Sequence, residues 1–491
     1  MGLNRFDLAI IAIYLIAITL FGFRFRKKQR TLRDYFLAGR DIPWWAISLS
    51  IVAAETSTLT IISMPGLAYD TNMTFLQVAM GYVVGRIAIS MVLLPHYFRG
   101  DLYTAYQLIE RRFGPRLRTL TSGLFLLTRA AAEGVRVYAV SIVVSIALGT
   151  GEVASIAIIT ALTVIYTFEG GLAAVIWTDV VQTVIYIGGT LVGVGVILHL
   201  VPGGWAHIHQ IAAAQGKLRV FDFSFNFWKP YTFWSGVIGG GLFTLASHGT
   251  DQLIVQRLLA ARNQRQSAWA LIVSGFAILV MFALFLMVGL MLFAYYLLPT
   301  AHFGTADRIY PTFIVSKMPH GISGLLIAAI LAAAMSNLSA ALNSLSSSTI
   351  VDFYLKIRNR TQLANSPGGE APPGERNGLR LSRWATVFWA IALFALALLC
   401  LHRIPRVIEV GLQIASVAYG ALLGVFLLGV LTRRANQAGA IAGMILGFAT
   451  EIYLWQFTKV PWTWWVMIGT AVTFFVGYTI SWFNRAENTS Y

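Results

Sequence analysis

The residues best suited to chemistry stand inside long apolar runs, where every polar group costs free energy and needs a reason. Glu55 lies in Ala53-Ala54-Glu55-Thr56-Ser57-Thr58-Leu59-Thr60, near the middle of an apolar stretch that continues to Pro65-Gly66. The Thr/Ser cluster and the Pro-Gly weaken a helix, and a broken helix frees backbone carbonyls that coordinate a small cation. A Ser/Thr-rich packing face between helices is the plainer reading. Arg129, Glu133 and Arg136 follow one another at i, i+4 and i+7, which puts all three on one helix face. They suit an internal salt-bridge network or an anchor for an anionic solute, and Arg86 is a fourth charge at similar depth. Gly239-Gly240-Gly241 is poor helix sequence and precedes the polar run Ser247-His248-Gly249-Thr250-Asp251-Gln252, so this stretch is a second candidate broken helix. His248 alone reads as a hydrogen-bonded packing residue. Ser336, Ser339 and Asn343 share one helix face after Ala332-Ala333-Ala334. Small residues there allow close helix approach, and oxygen ligands also suit a hard, weakly held cation such as Na⁺.

The elements that carry these residues are set by composition. Of 491 residues, 57% are hydrophobic and 11% charged, with a mean hydropathy of +0.71. Soluble domains carry about 25% charged residues, so a soluble enzyme, a disordered chain and a nucleic-acid-binding domain are excluded. A polytopic membrane protein remains. A span needs about 20 apolar residues, and thirteen stretches meet that need. They run near 7–25, 44–69, 74–95, 118–148, 153–168, 174–200, 233–256, 268–298, 321–352, 384–402, 407–431, 437–457 and 463–483. Their apolar residues are continuous rather than alternating, so the spans are helices and not barrel strands. The first has no basic leader before it and reads as a span that is retained.

The 36 Lys+Arg against 20 Asp+Glu give +16. Most of that surplus falls on alternate junctions, chiefly 24–40, 99–118, 257–265 and 356–383. The positive-inside rule then sets the N-terminus outside and the C-terminus in the cytoplasm of a cell with this protein in its plasma (inner) membrane. The charge is thus a topology signal, and no nucleic-acid partner is implied. The insert at 356–383 reads as a flexible linker. The aromatics of the outer loop 201–232 read as packing on the bundle in preference to an interfacial belt. The single cysteine, Cys400, excludes a disulfide framework and a Cys-rich metal site.

The second and seventh spans are five apart and therefore antiparallel. The chain accordingly divides into an N-terminal helix and basic loop (1–43), a five-helix repeat (44–200), the outer loop (201–232), a second five-helix repeat (233–434) and C-terminal helices (435–491). Two inverted repeats, each opening on a broken helix, form the transporter pattern in which solute binds between them at mid-membrane.

Several segments together resemble the sodium:solute symporter family over nearly the whole chain. They are Asp34-Tyr35-Phe36-Leu37-Ala38-Gly39-Arg40, Ile109-Glu110-Arg111-Arg112-Phe113-Gly114, Glu169-Gly170-Gly171-Leu172-Ala173-Ala174-Val175-Ile176-Trp177-Thr178-Asp179, Asp251-Gln252 with Gln256-Arg257, and Tyr419-Gly420-Ala421-Leu422-Leu423-Gly424. The resemblance implies an all-α, LeuT-like inverted five-plus-five core with one extra N-terminal and two extra C-terminal helices. It also implies uptake driven by Na⁺ as the coupling ion. By similarity, the Na⁺ site comprises the carbonyls of Ala53, Thr56 and Ala333 with the side chains of Ser336 and Asn337. Relatives often place a hydroxyl where Asn337 stands. A second Na⁺ in some relatives maps to Asp179 and Ser339, with Ala340 lacking the oxygen of a further ligand. Solute contacts map to Ser57, Thr60, Gln77, Thr244, Ser247 and Gln413, with Glu55, Arg129, Glu133 and Arg136 as mid-membrane charges. Sugar-transporting relatives often carry an aromatic gate where this chain has Ser247.

The expectation is a Na⁺-coupled symporter, not an enzyme, for a small polar solute: a sugar, sialic acid, carboxylate or amino acid. A proton-coupled carrier on the same scaffold, using Glu55, Asp179 or Glu133, is the alternative, distinguished by uptake in Na⁺ against choline. A membrane-embedded enzyme needs a polar active-site cluster, and the histidines have no metal-ligand spacing.

Overall fold

The computed structural model describes residues 2–24, 38–99, 105–166, 172–297, 304–349, 375–401 and 406–483. Among them all regular structure is helical. Seven helices are long and apolar enough to cross a bilayer: α7 (Pro115–Leu148), α9 (Leu172–Leu200), α13 (Gln264–Tyr296), α15 (Ile322–Ser348), α17 (Val407–Leu431), α18 (Gln437–Phe457) and α19 (Trp462–Phe483). Taken as one span, the bent pair α2 (Trp44–Glu55) and α3 (Thr58–Asp70), which meet at 63°, is also long and apolar enough. The other expected stretches form α1 (Arg5–Phe23), α4 (Leu76–Val92), α8 (Glu152–Tyr166), α16 (Glu375–Cys400) and the interrupted pair α11 (Gly240–Gly249) and α12 (Gln252–Leu259). Short helices α5 (Leu94–Phe98), α6 (Ala105–Phe113), α10 (Gly204–Ala214) and α14 (Ile309–Lys317) complete the order.

Local chemistry explains where the helices stop. After Glu55 the backbone leaves the helix at Thr56 and runs extended at Ser57 (φ −71°, ψ 171°). The Thr60 hydroxyl donates to the freed Glu55 carbonyl at 3.0 Å, a local bond that competes with the helical ladder. Pro65-Gly66 does not break the chain: both residues stay helical and buried in α3. The second interruption falls at Thr250–Asp251, and the Asp251 side chain caps α12 by accepting from the Leu253 amide at 2.9 Å.

The glycine triplet is therefore not the break. Residues 235–239 form a π-turn leading into α11, and Gly240-Gly241 continue as helix. Their purpose is close approach. A Cβ added at Gly236 would come within 2.8 Å of the Gln77 backbone, and one at Gly241 would meet the Gly81 carbonyl at 3.4 Å. With no side chain between them, α4 and the 235–249 segment pack backbone to backbone.

Some expected boundaries shift. The linker placed at 356–383 ends earlier, since 375–383 already belong to α16; residues 351–374 lie outside the described residues. The outer loop is anchored by buried polar residues and by only some of its aromatics. Lys217 donates to the carbonyls of Tyr69 (2.6 Å) and Thr71 (3.1 Å). Phe221, Phe223, Phe225 and Trp228 are exposed, which fits an interfacial belt better than bundle packing. Phe227 stacks on Trp464 with ring centroids 5.1 Å apart.

Candidate functional site

Both helix interruptions face one central cavity of about 210 Å³. Glu55, Ser57 and Thr60 reach it from the first break, and Ser247, His248 and Asp251 from the second. Phe75, Tyr82, Phe243, Phe282 and Tyr419 supply aromatic walls, while α7 contributes Thr128, Arg129 and Arg136. Helix α15 adds Ser336 and Asn337, and the Thr58 hydroxyl donates to the Ile330 carbonyl at 3.4 Å, joining the first break to α15. A mostly apolar pocket with a few convergent polar groups is the usual form of a small-molecule site.

The first break is held by charge. Glu55 pairs with Arg86, whose side chain has no exposure at all. Arg86 also donates through Nη1 to Ser274 Oγ at 2.6 Å, and its Nη2 lies 3.1 Å from His248 Nε2. His248 Nδ1 lies 2.9 Å from Ser247 Oγ. Four helices, α2, α4, α11 and α13, thus meet on one buried guanidinium. Unpaired, such a charge would be prohibitive in an apolar interior; the carboxylate beside it makes it tolerable.

On α7 both readings of the charged stripe have a counterpart. Glu133, fully buried, pairs with Arg129 at 3.0 Å and Arg136 at 2.6 Å. Arg129 also stands 3.9 Å from Asp251. Both arginines nevertheless line the cavity, and the Arg136 side chain is 30% exposed. A third group sits below the first break. Asp179 accepts from Ser50 Oγ at 2.6 Å and from Arg257 Nη2 at 3.1 Å, and Arg257 Nε donates to the same Ser50 oxygen at 2.8 Å.

At the start of α4, Gln77 ties the core to the outer loop. Its amide donates to the Tyr231 carbonyl at 3.2 Å and accepts from the Asp222 amide at 3.0 Å. Asp222 is held down to about 2 by the hydrogen bond from Lys229, against the opposing effect of burial.

The sodium:solute symporter family matches residues 35–447. The chain belongs to the sodium:solute symporter family. It is 30% identical over 475 residues to the sodium/sialic acid symporter NanT of Aliivibrio fischeri, a match covering 95% of this chain and 90% of the relative. It is 30% identical to the sodium/sialic acid symporter SiaT of Proteus mirabilis, covering 89% and 87%. Among solved structures it resembles a Na⁺-coupled sialic acid symporter in a substrate-bound, outward-open state, with 27% identity, a TM-score of 0.83 and 98% of each chain covered. An inward-facing structure of Mhp1 matches at 12% identity with a TM-score of 0.55 over 89% and 90%, a likeness of fold alone. The symporter is therefore a multi-pass membrane transporter rather than an enzyme, with the all-helical LeuT-like fold and Na⁺ as its coupling ion.

Within this symporter the residues mapped by similarity separate into groups. Ala53, Thr56, Ala333, Ser336 and Ser339 are buried, and Ser336 and Asn337 reach the cavity edge. Ser57, Thr60 and Ser247 line the cavity, as do Glu55, Arg129 and Arg136. Gln77, Thr244 and Gln413 do not. Gln77 is engaged with the loop, and Thr244 packs against the Gly85 position on α4. Asn343 keeps the helix face of Ser336 and Ser339 but lies one turn further along α15, where it is exposed. Tyr82, Phe243, Phe282 and Tyr419 also line the cavity and were not foreseen. Aromatics in apolar helices give no signal of their own. Arg257 carried one, a basic residue after a broken span, but read as an inner-loop charge.

Proposed function

We propose that this symporter imports a small polyhydroxylated acid of the sialic acid class together with Na⁺, by alternating access. In this reading thirteen helices cross the membrane, the N-terminus is outside and the C-terminus cytoplasmic. Residues 44–200 and 233–434 form the inverted repeats, with 1–43, 201–232 and 435–491 appended. Na⁺ rides between the first break and α15, on the carbonyls of Ala53, Thr56 and Ala333 and the side chains of Ser336 and Asn337. The observation that carries the proposal is the joint exposure of Ser57, Thr60 and Arg136 to one cavity beside that break. Hydroxyls there would meet sugar hydroxyls, and the partly exposed Arg136 would meet a carboxylate with its fork of donors. The names of the two bacterial relatives support the same class.

Glu133, shared between Arg129 and Arg136, then holds Arg136 in place. At Asp179 the guanidinium of Arg257 supplies the positive charge that a second Na⁺, shared with Ser339, would otherwise bring. Na⁺ binding braces the broken helix against α15 and raises solute affinity, and by linkage solute raises Na⁺ affinity equally. The test is uptake of N-acetylneuraminate, with neutral sugars, simple carboxylates and amino acids as competitors, by wild type and Ser336→Ala. The variant should need several-fold more Na⁺ for half-maximal rate while keeping most of its maximal rate. Equal Na⁺ dependence in the two proteins would remove Ser336 from the ion site.

A further inference from the structure

The chain Arg86–His248–Ser247 has a fixed direction. Arginine has donors only. Its Nη2 carries two hydrogens, one spent on Glu55 Oε2 and one aimed at His248 Nε2, 3.1 Å away. Nε2 must then accept, so the ring proton resides on Nδ1, since which nitrogen is protonated is set by the bond the other makes. Nδ1–H therefore donates to Ser247 Oγ at 2.9 Å. The far end of the relay is equally determined. Ser274 Oγ donates to the Leu271 carbonyl at 2.6 Å, so toward Arg86 it accepts. Glu55 Oε2 also lies 3.5 Å from Nε2 and competes for a proton there, but Arg86 is nearer and already satisfies that oxygen. His248, 5% exposed, and Ser247, the last member, both line the cavity, and Ser247 Oγ is the end of the relay.

We infer that His248 is a positioning residue that turns the Ser247 hydroxyl into a hydrogen-bond donor toward the solute. The inference rests on the reading of the cavity as the solute site. Ser247 spends a lone pair on His248 and keeps its own hydrogen for the cavity. The solute group that docks there is an acceptor, such as a carboxylate, an amide carbonyl or a hydroxyl oxygen, and not an ammonium. A buried donor aimed at one substrate atom rejects analogues lacking the acceptor far more strongly than an apolar wall does. The histidine thus acts on specificity through Ser247, since both of its ring nitrogens are engaged.

The full-length protein in lipid tests the relay in two independent ways. Nitrogen-15 spectra of histidine-labelled wild type, compared with His248→Asn to assign the missing signal, should show His248 as the neutral Nδ1–H tautomer at pH 7. An Nε2–H tautomer or an imidazolium overturns the inference whatever the solute. Uptake of N-acetylneuraminate gives the second readout. Asn places an amide N–H near the Nδ1 position, whereas Gln places its amide near Nε2. Ser247→Ala and His248→Gln should each raise the half-saturating concentration about tenfold, the value of one hydrogen bond to a charged acceptor, with little change in maximal rate. His248→Asn should raise it less than threefold, and adding His248→Gln to Ser247→Ala should cost nothing more. Additive losses, or His248→Asn as impaired as Ser247→Ala, would overturn the relay. No wild-type uptake of N-acetylneuraminate refutes the solute reading instead, and the tautomer then decides the relay alone.

Discussion

Replacing Glu55 by glutamine tests the clamp on the broken helix quantitatively. The Glu55 side chain is 14% exposed and its partner Arg86 is not exposed at all. Glu55→Gln keeps an oxygen for Arg86 but removes the negative charge, leaving a guanidinium buried with only neutral partners, Ser274 and His248. Breaking a buried pair from one side costs about 3–5 kcal/mol; the surviving amide oxygen puts this case near the lower figure. A domain of 150–250 residues loses roughly 2–4 °C per kcal/mol, and a chain twice as long about half that, so Tm should fall by about 3–6 °C. Thermal unfolding of the purified protein reads this directly. Adding Arg86→Met removes the stranded charge and should restore most of the loss, since an apolar replacement of a buried pair is often neutral or better. Uptake should report the same event: with the Glu55 side chain released, the carbonyls at the break relax and half-saturating Na⁺ rises. A Glu55→Gln protein as stable as wild type, or a double variant less stable than the single one, would refute the clamp.

Three further outcomes follow from the geometry. Gly81→Val should abolish folded protein, because an added side chain would enter the backbone of residues 236–241, whereas Gly188→Ala, which meets nothing within 4 Å, should be neutral or stabilising; yields by size-exclusion chromatography compare them. Arg257→Gln strips Asp179 of its cation and should destabilise by about 3–5 kcal/mol, with Asp179→Asn added in the same chain recovering most of it in denaturation curves. Asp222 is depressed to about 2 in the folded protein, chiefly by Lys229, below the roughly 3.9 of an unfolded aspartate. Its stabilising effect is therefore complete above about pH 4 and lost as pH falls toward 2. Asp222→Asn should cost stability at pH 7, and the gap in Tm to wild type should close in acid.

The helices were legible in the sequence because lipid enforces continuous apolar runs. The spans read at 407–431 and 437–457 coincide with α17 and α18, and the break beside Glu55 falls within its Thr/Ser cluster. The seventh span shows where local sequence misleads. Three glycines signal poor helix intrinsically, yet tertiary packing against α4 holds them helical, and the chain breaks one turn past Ser247, where Asp251 can cap. The cavity was half legible. Charges and hydroxyls in apolar helices announce themselves by their cost, so Glu55, Arg136, Ser57 and Ser247 were visible. The aromatic walls were not, because Tyr82 and Phe243 have the same composition as any core. Partnership was hidden as well: nothing in the sequence shows that Arg86 belongs to Glu55 rather than to the α7 stripe, since their join crosses 31 positions and two helices.

Coupling of Na⁺ to the entry of an acidic sugar through the cavity between the two breaks is what we propose for this symporter. Proteoliposomes loaded in choline and diluted into Na⁺ or choline at fixed pH test it most directly. Radiolabelled N-acetylneuraminate should accumulate transiently above equilibrium only with the inward Na⁺ gradient, and Arg136→Gln should abolish that overshoot. Equal uptake in choline, or an overshoot driven by a proton gradient without Na⁺, would contradict the account.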